Sequence, residues 1–121
     1  MENINLEYTD IFDDNKVKKL SFSKHLIKSE FNEKSLFALM VDGKSMEPVI
    51  NHKGVIVADL SQKTLIDEAV YLVYYENKMW VKKYIQKNKT FTSINKDFSH
   101  LIYKENEVYV AAKVLISFTN L

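Results

Sequence analysis

Leu36-Phe37-Ala38-Leu39-Met40-Val41-Asp42-Gly43-Lys44-Ser45-Met46-Glu47-Pro48 is the stretch on which the reading of this chain turns. The apolar run through Val41 has the character of a buried strand, and it stops at one of only two glycines in the sequence. Gly43 permits a backbone turn that other residues resist, and Pro48 prevents the strand from resuming. Between them Ser45 is presented at a strand end. Taken alone, a serine there is an ordinary turn residue or helix cap. A second element raises its interest: Trp80-Val81-Lys82-Lys83-Tyr84-Ile85, where amines interrupt an otherwise strand-like segment. A serine beside a lysine held neutral is a working pair of nucleophile and base.

The remaining residues read as a β framework. At 121 residues the chain holds one domain with a real core, and its 46% apolar and 27% charged content belongs to globular proteins rather than disordered ones. Val55 to Ala58 is a short buried strand entered by Gly54 and closed by Asp59, and Ser61 to Thr64 is a loop. Ala69 to Tyr75 and Lys78 to Ile85 are rich in β-branched and aromatic residues, with Glu76-Asn77 between them as a tight hairpin turn. Lys87-Asn88-Lys89 turns the chain into Thr90 to Ile94, and Val108 to Phe118 forms a last strand. Residues Met1 to Asp14 show no clean period, so they read as a loop or arm. Val17 to Leu20 follows as a short strand, and Ser21 to Ile27 as a capped helical turn with Phe22, Leu26 and Ile27 on one side. The expected division is an N-terminal arm and lead-in over residues 1–35 and the main domain over 36–121.

Charge and composition exclude several functions. A formal net charge of +1 creates no field for nucleic acid, and every basic side chain is lysine, so the bidentate guanine contact of arginine is missing. Residues 1–35 are too few for a three-helix DNA-binding unit, and any DNA reading belongs to a separate domain. Runs such as Lys16-Val17-Lys18-Lys19 are solvated edges. Without cysteine there is no disulfide, thiolate metal site or cysteine nucleophile. No cofactor and no metal is expected. No apolar run reaches membrane-spanning length and the start lacks the form of a signal peptide, so a cytoplasmic location is expected. His25, His52 and His100 have no carboxylate spacing suggestive of a triad and read as surface or capping residues. Strand parity puts Lys82 with Trp80 and Tyr84, and Lys83 with Val81 and Ile85. Either face could desolvate an amine.

In combination these segments resemble the serine–lysine peptidase domain of LexA, UmuD and phage repressors of the lambda CI type. The family's Gly-x-Ser-Met-x-Pro box is matched by Gly43-Lys44-Ser45-Met46-Glu47-Pro48, and its Val-x-Asp strand by Val57-Ala58-Asp59. Tyr71-Leu72-Val73, Val81-Lys82-Lys83-Tyr84, Ser93-Ile94-Asn95 and Ala112-Lys113-Val114 resemble further family elements in the same order. The resemblance implies a mostly β fold with little helix: a coiled, partly open, barrel-like domain of the LexA C-terminal or signal-peptidase-like type. It implies Ser45 as nucleophile, Lys82 as general base, and Gly43, Lys44 and Met46 around the oxyanion hole and substrate cleft. It further implies a homodimer that cuts a linker in its own parent polypeptide. The chain departs from the pattern in having Lys44 for Asp, Lys53-Gly54 for Gly-Asp and Ala112 for Gly. It has no Ala-Gly or Cys-Gly pair, the usual cleavage site. The alternative expectation is therefore a dimerisation or peptide-binding module of the same fold, with catalysis weak or lost. A membrane-anchored signal peptidase shares the Ser-Met-x-Pro box but needs an anchor that this sequence does not offer.

Overall fold

Glu76 and Asn77 both adopt positive φ (49° and 65°), the geometry that folds two strands back on each other with matched twist. They join β5 (Val70–Tyr75) to β6 (Lys78–Ile85), the hairpin expected from their sequence. The computed structural model describes residues 2–119. Met1, Asn120 and Leu121, the outermost residues of the two expected segments, lie outside these. The architecture is mostly β, with only single 3-10 turns as helix. It comprises a two-stranded sheet of β1 (Asn3–Asp10) and β2 (Lys16–Ser23) and a seven-stranded antiparallel sheet. The larger sheet adds β3 (Leu36–Met40), β4 (Val55–Asp59), β7 (Thr90–Thr92), β8 (Tyr103–Lys104) and β9 (Tyr109–Phe118), in the order β3-β4-β9-β5-β6-β7-β8. It does not close into a barrel. β9 runs between β4 and β5 and carries a register irregularity against each. Such irregularities increase strand bending and coil the sheet.

The N-terminal reading requires correction. Residues 3–10 form a full strand paired with β2 along its whole length. Ile4, Leu6 and Tyr8 alternate with Asn3, Asn5, Glu7 and Thr9, a period of two that the polar residues disguise. Ile4 and Phe22 face each other across the hairpin and sink into the core with Leu36, Ala38, Val55 and Val57. β2 likewise runs to Ser23, so Ser21 and Phe22 are strand rather than helix. The 3-10 turn covers only Lys24 to Leu26, with the Ser23 hydroxyl accepting from His25 N. Phe22 and Ile27 are buried as expected, while Leu26 points to solvent. Asp59 is the last residue of β4 rather than a terminator beyond it. Ser93 and Ile94 fall just past β7, and Val108 just before β9.

Two buried features hold the remainder. Val41, Met46 and Ile50 pack with Ile56, Ala58, Leu72, Ala111 and Ala112, so the loop after β3 is fastened to the sheet by its own side chains. Asp59, with no exposed surface, accepts from Asn32 N, Ser61 N, the Ser61 hydroxyl and Gln62 Nε2 at 2.7–2.9 Å. Burial pushes its carboxyl up, but the bonds from Ser61, Asn32 and Gln62 outweigh this and hold it below the usual value. Gly54, at the return into β4, leaves no room for a side chain. A Cβ there would meet Asn51 O at 2.9 Å and Phe118 O at 3.1 Å, both main-chain atoms. Gly54→Ala is expected to lower stability by about 1–3 kcal/mol through overpacking, read as a lower urea midpoint with unchanged slope.

Candidate active site

The serine loop begins where the β3–β4 ladder runs on past its last strand residue. Val41 N donates to Gly54 O and Lys53 N donates to Val41 O, both at 2.8 Å. Two residues, Lys53 and Gly54, thus face Val41, a bulge that ends the regular ladder before Gly43. Gly43 has φ +136°, a backbone state side chains disfavour, which accounts for glycine at this position. The loop then closes on itself through Glu47 N to Lys44 O, Val49 N to Met46 O and Ile50 N to Met46 O. Met46 and Ile50 are each only 2% exposed. Met46 is thus a core anchor as well as a cleft residue. Lys44 projects into solvent, and Ser45 is half-buried. Among the described residues, no carbonyl or side chain accepts from the N–H of Ser45 or of Met46.

β6 decides between the two lysines. Lys83 keeps its amine at the surface, 3.5 Å from Glu68. Lys82 lies opposite Tyr71 and has no exposed surface at all. Its Nζ donates to Ser93 Oγ at 2.6 Å and to Leu101 O at 2.9 Å, and sits 5.1 Å from the ring centres of both Trp80 and Tyr103. Among the described residues no carboxylate pairs with it. Burial pushes the amine down to about 8 from the usual lysine value of 10.5. The two ring faces act in the opposite sense, since they attract the ammonium form.

One short segment ties the lysine to the serine loop. Ser93 accepts from Lys82, while two residues on, Asn95 N donates to Ser45 O at 2.9 Å and Asn95 Nδ2 donates to Lys44 O at 2.8 Å. A largely apolar groove of about 350 Å³ runs between these parts. Gly43, Lys44, Ser45 and Met46 line it, along with Trp80 and Leu101 beside Lys82, and Ile11 enters it from the β1–β2 turn. Gly43, Lys44, Ser45 and Met46 therefore share one groove, while Lys82 is not among the residues that line it. The Lys82 bonds go to Ser93 and Leu101 and not to the Ser45 hydroxyl.

Several participants went unnoticed in the sequence. Asn95 and Ser93 were visible only as a Ser-x-Asn element without a role. Tyr103, from β8, closes over the amine opposite Trp80, which shares the Lys82 strand face and whose buried indole N–H has no partner among the described residues. His52, read as a surface or capping residue, accepts from Gly43 N at Nδ1 (2.9 Å). Its ring also meets Phe12 of the hairpin edge-on at 5.1 Å. Among the described residues no helix is long and apolar enough to cross a membrane.

A comparison with curated proteins finds no match to the chain. A family model does match, spanning residues 3–115 and thus the N-terminal hairpin, the serine loop, Lys82 and most of β9. With a coiled, open β architecture, a Gly-x-Ser-Met-x-Pro loop and a buried strand lysine within the matched span, the chain belongs to the Peptidase S24-like family, that of the LexA, UmuD and phage-repressor C-terminal domains.

Proposed function

We propose that this chain is the peptidase and dimerisation part of a LexA-like or prophage-type repressor, hydrolysing a peptide bond with Ser45 as nucleophile and Lys82 as general base. The observation that carries this reading is the Lys82 amine: wholly buried, free of any carboxylate among the described residues, and pushed down to about 8. A neutral amine has two N–H groups and one lone pair. Its two hydrogen bonds, to Ser93 Oγ and Leu101 O, use both hydrogens and leave the lone pair to receive a proton. Ser45 Oγ would attack the peptide carbonyl as its proton passes to Lys82 Nζ. The N–H groups of Ser45 and Met46, which have no acceptor among the described residues, would receive the oxyanion. Lys82 would then return the proton to the departing amine, and water would release the acyl group by the same route in reverse. The substrate would be a linker in the parent polypeptide, the working form a homodimer in the cytoplasm, and DNA contact the task of a separate domain.

A second reading has its own support. The sequence has no Ala-Gly or Cys-Gly pair, and the amine is bonded away from Ser45, as suits a dimerisation or peptide-capturing module without turnover. Fluorophosphonate labelling separates the two. The peptidase reading expects labelling of wild type but not of Ser45→Ala. Its rate should rise with pH and level off above about 8, because the base must first lose its proton. A wild-type protein that stays unlabelled across this range would leave only the binding module.

A further inference from the structure

We infer that His52 is a positioning residue for the serine loop, holding the Asp42–Gly43 peptide by a side-chain bond where the main-chain ladder ends. This inference rests on the Ser45 and Lys82 reading for its catalytic meaning, but not for its geometry.

Val41 bonds to both Gly54 O and Lys53 N, two residues against one, so the β3–β4 ladder ends in a bulge with Lys53 at φ 69° and the regular pairing does not continue to Gly43. There the chain has left the strand conformation, with Gly43 at φ +136°, and its N–H instead meets His52 Nδ1 at 2.9 Å. The imidazole thus substitutes for a main-chain carbonyl two residues before the nucleophile. It is itself held from two sides. His52 N donates to Glu47 Oε2 at 3.2 Å, tying it to the far limb of the same loop, and Phe12 packs against the ring at 5.1 Å. The Lys53 amine lies over that same Phe12 ring, 5.0 Å from its centre. The charged groups around the imidazole are Asp42, whose Oδ1 is 3.9 Å from Nδ1, Glu47 and Lys53. Only an unprotonated Nδ1 can accept from Gly43, so the bond also fixes the tautomer, with the proton on Nε2. Without this acceptor the Gly43 peptide is free to rotate, and the approach to Ser45 loses its fixed direction.

Two variants test this. His52→Asn retains an acceptor close to the Nδ1 position, while His52→Leu retains bulk and removes the acceptor. Labelling of Ser45 by a fluorophosphonate should slow by about tenfold in His52→Leu and stay within about twofold of wild type in His52→Asn, the scale of one hydrogen bond. Nitrogen-15 NMR of the intact chain provides a reading that does not depend on reactivity. In wild type, Nδ1 should be the unprotonated ring nitrogen and the Gly43 amide should resist exchange. That protection should persist in His52→Asn and vanish in His52→Leu. A protonated Nδ1 or a freely exchanging Gly43 amide in wild type would overturn the inference. So would equal slowing in both variants, which would mark a packing role only. Absence of any labelling in wild type would remove the peptidase reading and the catalytic meaning of His52, leaving the NMR result to decide the Gly43 bond by itself.

Discussion

Lys82→Met is expected to abolish labelling of Ser45, by at least about a thousandfold, without costing the protein its fold. Methionine has nearly the length of lysine and fits between Trp80 and Tyr103, but it has no lone pair basic enough to take the serine proton. The effect on stability follows from linkage. Lys82 has a folded value of about 8 and an ordinary value of 10.5 when unfolded, so burial disfavours its charged form. Below about pH 8 both states bind the proton and the folded state bears the full penalty, on the order of 3 kcal/mol. Between about 8 and 10.5 the unfolded chain binds a proton that the folded chain does not, so stability increases with pH across that window. Methionine removes both the penalty and the pH dependence, and forfeits the bonds to Ser93 and Leu101. Denaturant melts should therefore show Lys82→Met at least as stable as wild type at neutral pH, with no gain between 8 and 10.5. A wild type whose stability is flat over this range would show that the amine is not buried in the neutral form.

Asp59→Ala should have the largest effect on stability, on the order of 3 kcal/mol, because it takes from several donors the one buried acceptor they share. Asn32 N, Ser61 N, the Ser61 hydroxyl and Gln62 Nε2 all converge on this carboxylate. Asp59→Asn retains one acceptor oxygen and is expected to cost roughly half as much. The carboxyl is held below its usual value when folded, so its contribution is complete above the ordinary carboxylate range and is lost as pH falls through the depressed value. Acid unfolding monitored by circular dichroism should accordingly be less steep in Asp59→Asn than in wild type below about pH 4.

The central strands were legible in the sequence because their signals are local. β-Branched and aromatic runs define β5, β6 and β9, and Glu76-Asn77, both at positive φ, supplies a tight two-residue turn between such runs. The first hairpin was hidden because Asn3, Asn5 and Glu7 resemble a loop until Ile4 is placed across from Phe22, nearly twenty residues away. At the site, parity offered two lysines and could not choose between them. The choice depends on Tyr103 and Leu101, which arrive from another part of the chain. His52 was passed over for a related reason. Its partner is a main-chain N–H, which leaves no trace in residue types, and only the folded course of the loop between β3 and β4 brings the two together.

The tripeptide from Ser93 to Asn95 grips the amine at one end and the turn carrying Ser45 at the other. Displacing that segment would disturb the bonds of the Lys82 amine and of the serine turn together, while Met46 and Ile50 keep the turn fastened to the core and strand pairing keeps Lys82 in its sheet.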